Sequence, residues 1–171
     1  MSAVISACGL YRYRLDRDLS QLMPADGGSV IAYFGVNGST ADALTDDHTV
    51  RKWIGFSNRE GARRFIVGNA FGYRAKDVKA LASAPDPIGP DNDRYLAEII
   101  AEADILVPCW GSRAKLPRHL RPRLDDVAAM IWAAGKPVKC FGVTDSHDPL
   151  HPLTLGWNTP LIDWWQRKSA R

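Results

Sequence analysis

Cysteine is scarce and poorly placed for cross-linking. Cys8, Cys109 and Cys140 are an odd number at wide spacings with no Cys-x-x-Cys pair, which argues against a disulfide framework and a zinc ribbon. Cys109 and Cys140 sit in apolar runs and read as buried, reduced thiols. Long apolar runs are also missing: none approaches the roughly 20 residues that cross a bilayer. The opening residues, MSAVISACGLYRYR, lack the charged start and long apolar centre of a secretory signal. A cytoplasmic protein with no membrane partner is expected. No strand is followed by Gly-x-x-x-x-Gly-Lys or Gly-x-Gly-x-x-Gly, which weighs against NTPases, kinases and dinucleotide oxidoreductases. A serine hydrolase is disfavoured because there is no Gly-x-Ser-x-Gly elbow. Two of the four histidines, His147 and His151, lie near Asp145 and Asp148. Without a supporting Cys or a helical His-x-x-x-His, no metal is assigned, and no cofactor is implied. Net charge is only +3, which does not by itself call for a polyanionic partner.

What is present is ordinary globular composition, 46% hydrophobic and 24% charged over 171 residues, expected to fold as a single α/β domain over 1–171. Residues 10–17 alternate Leu10, Tyr11, Tyr13 and Leu15 with Arg12, Arg14, Asp16 and Arg17. That period of two predicts an antiparallel N-terminal edge strand whose arginines guard its open side. Four short apolar runs follow: 30–36, 64–68, 104–109 and 138–143. Between them lie helical patterns, the first with Val50, Trp53 and Ile54 on one face, Asp47 or Thr49 as N-cap and Gly61 as stop. A short helix near 77–82 and a longer one from about Asp91 come next, the latter repeating Leu96, Ile99, Ile100 and Ala103. Leu124, Val127, Ala128, Ile131 and Trp132 mark a further helix that stops at Gly135. Residues 161–171 are expected to form a short helix, with at most one of Trp164 and Trp165 facing the core. Alternation of strand and helix predicts a three-layer α/β/α domain with a mainly parallel four-stranded central sheet.

In such sheets ligands bind outside the carboxyl ends of the strands. Each predicted strand there empties into a loop carrying polar or aromatic groups. The first carries Asn37, Ser39, Thr40, Asp42 and Asp47, the second Asn69, Phe71, Tyr73 and Arg74, the third Trp110 and Gly111, and the fourth Thr144 and His151. A basic run with Arg113, Lys115, Arg118, Arg121 and Arg123 follows the third. The parallel arrangement predicts that the four loops converge on one pocket. Bland roles compete at several positions: Asp47 and Thr49 as helix caps, Asp42 as an Asx-turn brace, Asn69 as a turn former, Trp110 as core and the basic run as a solvated loop.

The order of these loops resembles the motif order of the uracil-DNA glycosylase superfamily. Gly35-Val36-Asn37-Gly38 resembles the Gly-Ile-Asn-Pro-Gly motif of its mismatch-specific branch, Trp110-Gly111 its Leu-Trp-Gly segment, and His151-Pro152-Leu153 its His-Pro-Ser-Pro-Leu motif. Over nearly the whole chain the sequence also resembles the bacterial and phage domain-of-unknown-function family 1643. The residues that carry this are Asn37, Ser39 to Asp42, Asp47, Thr49, Arg51, Asn69, Arg74, Trp110, Gly111, Thr144 and His151 to Leu153, with Gly38 in place of that family's proline. The glycosylase resemblance implies cleavage of an N-glycosidic bond in DNA or a modified nucleotide. In that reading Asn37 or Asp42 orients water, and His151, Ser39 and Thr40 hold the departing base. Asn69 reads the base edge, Phe71 or Tyr73 stacks on it, and the basic run contacts phosphate. The same pocket without chemistry is a nucleotide or nucleic-acid binding module.

Overall fold

The computed structural model describes residues 2–20, 27–38, 46–75 and 78–165. Ser39, Thr40 and Asp42, and most of the turn before residue 27, lie outside them. A five-stranded mixed sheet is the frame. Its strands are β1 (Ser2–Ile5), β2 (Arg12–Asp18), β3 (Ser29–Asn37), β4 (Ala62–Phe71) and β5 (Ile105–Pro108), in the order β1-β2-β4-β3-β5. β3 lies between β4 and β5, parallel to both. Three α-helices, α1 (His48–Arg59), α2 (Asn92–Glu102) and α3 (Pro122–Ala133), accompany the sheet among the described residues.

The unbroken apolar run of β3 has a direct physical reason. Val30, Ala32 and Phe34 pack with Leu96 and Ile99 of α2 and Leu124, Val127 and Ile131 of α3. Ile31 and Tyr33 point into a second core, with Val50, Trp53 and Phe56 of α1. A strand buried on both sides has no solvent-facing position for a polar residue. Pro108 closes β5 opposite Phe34, where its missing N–H disrupts no continuing ladder.

Three expectations are corrected. The strand read as an edge is interior: β2 pairs antiparallel with β4 on one side and with β1 on the other. Its arginines are therefore fasteners. Arg17, only 1% exposed, sits 2.6 Å from the Asp46 carboxylate, and Arg14 bridges Asp16 at 2.7 Å and Glu102 at 2.6 Å. Long aliphatic stems let such cations cross a packed surface to reach their partners. Second, the fourth apolar run does not complete a parallel sheet. Val138 makes one parallel bridge to Leu106, after which β6 (Lys139–Cys140) pairs antiparallel with β7 (Ile162–Asp163) in a separate ribbon. Third, that pairing makes residues 162–163 a strand where a helix was expected. Trp164 packs against the core and Trp165 is 81% exposed.

Candidate active site

The carboxyl ends of β3, β4 and β5 open on a cavity of about 500 Å³. Asn37, Asp47, Asn69, Trp110, Gly111, Lys115 and His151 all line it, together with Arg12, Thr49 and Trp53. Asn37, Asn69 and Trp110 thus meet because parallel pairing brings the ends of β3, β4 and β5 to one rim, while His151 joins them from the loop beyond β6. Register makes this concrete: Gly35 lies opposite Asn69, and Asn37 opposite Phe71.

Asn69 is 2% exposed, and its backbone carbonyl accepts from Asn92 Nδ2 at 3.0 Å. Its side-chain amide has no partner among the described residues and lines the cavity. Gly35 makes room for it, since a Cβ at that position falls 2.8 Å from Asn69 Oδ1. Gly35→Ala is expected to keep the fold at a cost of about 1–3 kcal/mol, the usual range for overpacking, while turning the Asn69 amide out of place. Chemical denaturation reads the first effect and loss of ligand-induced thermal shift the second.

Asn37 donates from Nδ2 to the Ala75 carbonyl at 2.6 Å, leaving Oδ1 as its acceptor for the cavity. Asp47 is the N-cap of α1, its Oδ1 accepting from Val50 N at 2.9 Å. It also lines the cavity, so the cap and the site share one carboxylate.

His151 Nδ1 accepts from Leu153 N at 3.3 Å, which leaves Nε2 as the protonated nitrogen of the neutral ring. Burial, reinforced by the nearby Lys115 cation and opposed by Asp47, holds its pKa below the ordinary 6.5. The ring is therefore a neutral donor. Its loop is fixed from two sides. Gly111 has φ +75°, and a Cβ there would fall 3.1 Å from His151 Cβ, so a side chain at this position is strained. The fully buried Asp148 carboxylate accepts from Arg113 N at 2.8 Å and Arg113 Nε at 2.7 Å. From the other side, α1 holds the segment after His151: Lys52 Nζ donates to the Leu155 carbonyl at 2.6 Å and lies 3.9 Å over the Trp157 ring.

Several sequence candidates lie elsewhere. β4 runs on to Phe71, which is fully buried in the core and has no ring face for a base. Tyr73 bridges to Tyr11 and packs edge-on against its ring at 6.0 Å. Arg74 donates to the Gly9 carbonyl at 3.4 Å. Thr144 braces the turn before His151, its Oγ1 accepting from Asp148 N at 3.2 Å. None of these four lines the cavity, whose aromatic walls are Trp53 and Trp110. The basic run is also redistributed. Arg113 is occupied by Asp148 and Asp125, and Arg121 by the Leu116 and Ala114 carbonyls. Arg123, 7% exposed, reaches the Ala70 carbonyl and Asp93. Of the run, only the side chains of Lys115 and Arg118 have neither a hydrogen bond nor an ion pair among the described residues, and only Lys115 lines the cavity.

Sequence reading missed Arg12 and Asp148. Arg12 is 3% exposed and lines the cavity, although strand alternation placed it on a polar face. Asp148 was visible only as one acid near two histidines, and its pairing across 35 positions has no local signature. Cys109 and Cys140 are buried as expected. Burial pushes the Cys109 thiol up to about 12, so it supplies no nucleophile.

A family model described as "Protein of unknown function (DUF1643)" matches residues 12–153. The chain belongs to the DUF1643 family. The match runs from the cavity's Arg12 to its Leu153, so the DUF1643 span carries all the rim residues up to the loop that holds His151. Searches of curated proteins and of solved structures gave no match.

Proposed function

We propose that this DUF1643 protein is a nucleobase-recognising N-glycosidase, built on a three-layer α/β/α frame of the uracil-DNA glycosylase type. One observation carries the reading: Asn37 and Asn69 from two strands, and Trp110-Gly111 and His151 from two loops, line a single cavity. Cleaving an N-glycosidic bond builds positive charge on the sugar and negative charge on the departing base, so the site needs an acceptor at one end and donors at the other. Asn37 Oδ1 supports the attacking water and faces the developing cation. The water oxygen bonds to C1′ as the C1′–N bond breaks, and a water proton ends on the departing base. His151 Nε2–H donates to the base as its charge grows. Asn69, offering one donor group and one acceptor, reads the base edge, and Trp53 and Trp110 form the apolar walls.

An amide cannot take the water's proton. Among the described residues the cavity carboxylate is Asp47, which also caps α1; Asp42 lies outside them. This shared duty is the observation that favours the second reading, a nucleotide-binding module without turnover.

The test is base release, followed by mass spectrometry, from nucleotides and oligonucleotides carrying uracil, mismatched and modified bases. Release by the wild type, reduced by about 10²-fold or more in Asn37→Ala, is expected. Binding without release by the wild type would replace the enzyme reading with the binding module.

A further inference from the structure

The nucleobase reading leaves open whether the base arrives in a nucleic acid or in a free nucleotide, and the distribution of positive charge bears on that choice. A protein that holds a duplex needs several unpaired cations spaced along the phosphate backbone. The basic run was the candidate for that surface. Arg113, Arg121 and Arg123 are instead bonded to acidic side chains or backbone carbonyls of their own fold. Arg118 is exposed and does not line the cavity.

Arg12 and Lys115 are the cationic side chains among the residues lining the cavity. Arg12 enters the cavity from β2, with its guanidinium 3.2–3.4 Å from where a Gly38 Cβ would stand. Lys115 enters from the short turn Arg113–Lys115 after β5. Its side chain has no hydrogen bond or ion pair among the described residues, yet lies close enough to His151 to depress that ring's pKa. Asn69, 2% exposed and with an unpartnered amide, lines the same space. A volume of about 500 Å³ falls within the range of small-molecule sites. One open cavity therefore offers an amide for a base edge and cationic side chains for a phosphate.

We propose that the cavity takes a free nucleoside monophosphate, with Lys115 and Arg12 holding its phosphate, and not a base extruded from duplex DNA. This rests on the nucleobase reading of the site and adds the substrate class. Lys115 is the position to test, because its side chain is exposed at the rim and its replacement leaves the core intact.

Calorimetric titration of wild type and Lys115→Gln with the common nucleosides, their monophosphates and a short DNA duplex decides the matter. A charge-assisted phosphate contact predicts that at least one monophosphate binds about tenfold or more tighter than its nucleoside, and that Lys115→Gln removes most of that advantage at unchanged melting temperature. The duplex is expected to bind no more tightly than the nucleoside. Equal affinity for nucleoside and monophosphate, or a phosphate preference that survives Lys115→Gln, would overturn the proposal, as would tight duplex binding. The enzyme reading fails separately: monophosphate binding without base release retires the hydrolysis and leaves this inference standing, whereas release from duplex alone does the reverse.

Discussion

Asp148→Ala is expected to lower unfolding stability by about 2–3 kcal/mol and to loosen the loop that presents His151. The carboxylate is fully buried and takes two hydrogen bonds from Arg113, one from its backbone N–H and one from Nε. Truncation leaves both donors without an acceptor, and breaking a buried pair from one side costs more than the pair contributes, typically about 3–5 kcal/mol. Arg113 is partly exposed and keeps Asp125 at 2.9 Å, which lowers the estimate. Asp125 is 62% exposed, so Asp125→Ala should cost less than about 1 kcal/mol. Urea unfolding of the two variants side by side separates an interior clamp from a surface pair. Similar small losses in both would show that the Asp148 pair does not hold the loop.

The second large effect concerns His151 itself. Removing a preorganised donor to a developing anion typically costs about 10²–10³ in rate, so His151→Ala is expected to depress base release by that factor with little loss of stability. The ring's titration offers an independent check. With Nδ1 accepting from Leu153 N and burial resisting charge, its folded pKa lies below 6.5. Between the folded and unfolded values the unfolded chain binds more protons, so stability rises with pH there. His151's contribution is fully present above 6.5 and is lost as pH falls through the folded value. An NMR titration showing a His151 pKa above 6.5 would remove the neutral-donor role.

How much of this the sequence carries differs element by element. The buried strand β3 is legible because a strand covered on both faces leaves an unbroken apolar run. α1 is equally legible, since its stripe, its Asp47 cap and its Gly61 stop are all local signals. Convergence of Asn37, Asn69 and Trp110 was also legible, because parallel strands must deliver their carboxyl ends to one rim; His151 reaches it from a loop beyond β6, not from a fourth parallel strand. Pairing partners were not. β2 shows the period of an edge strand, and nothing in its own residues reveals that four residues, Ser2 to Ile5, cover its open side. The basic run shows the same gap: charge is a property of the residue, but whether Arg113 or Arg123 is available depends on Asp148 and Asp93, acids 35 and 30 positions away. Phe71 read as a stacking residue because β4 was taken to end at Gly68, when its pairing with Asn37 carries it three residues further into the sheet.

Base release in oxygen-18 water tests the central claim most directly. Single-turnover reaction of the wild type with the substrate identified in the panel is predicted to give an unlabelled free base and a sugar carrying one heavy oxygen at C1′, with product formation slowed about 10²-fold or more in Asn37→Ala. A sugar without the label, or an Asn37→Ala variant as fast as the wild type, would contradict water attack supported by Asn37 in this cavity.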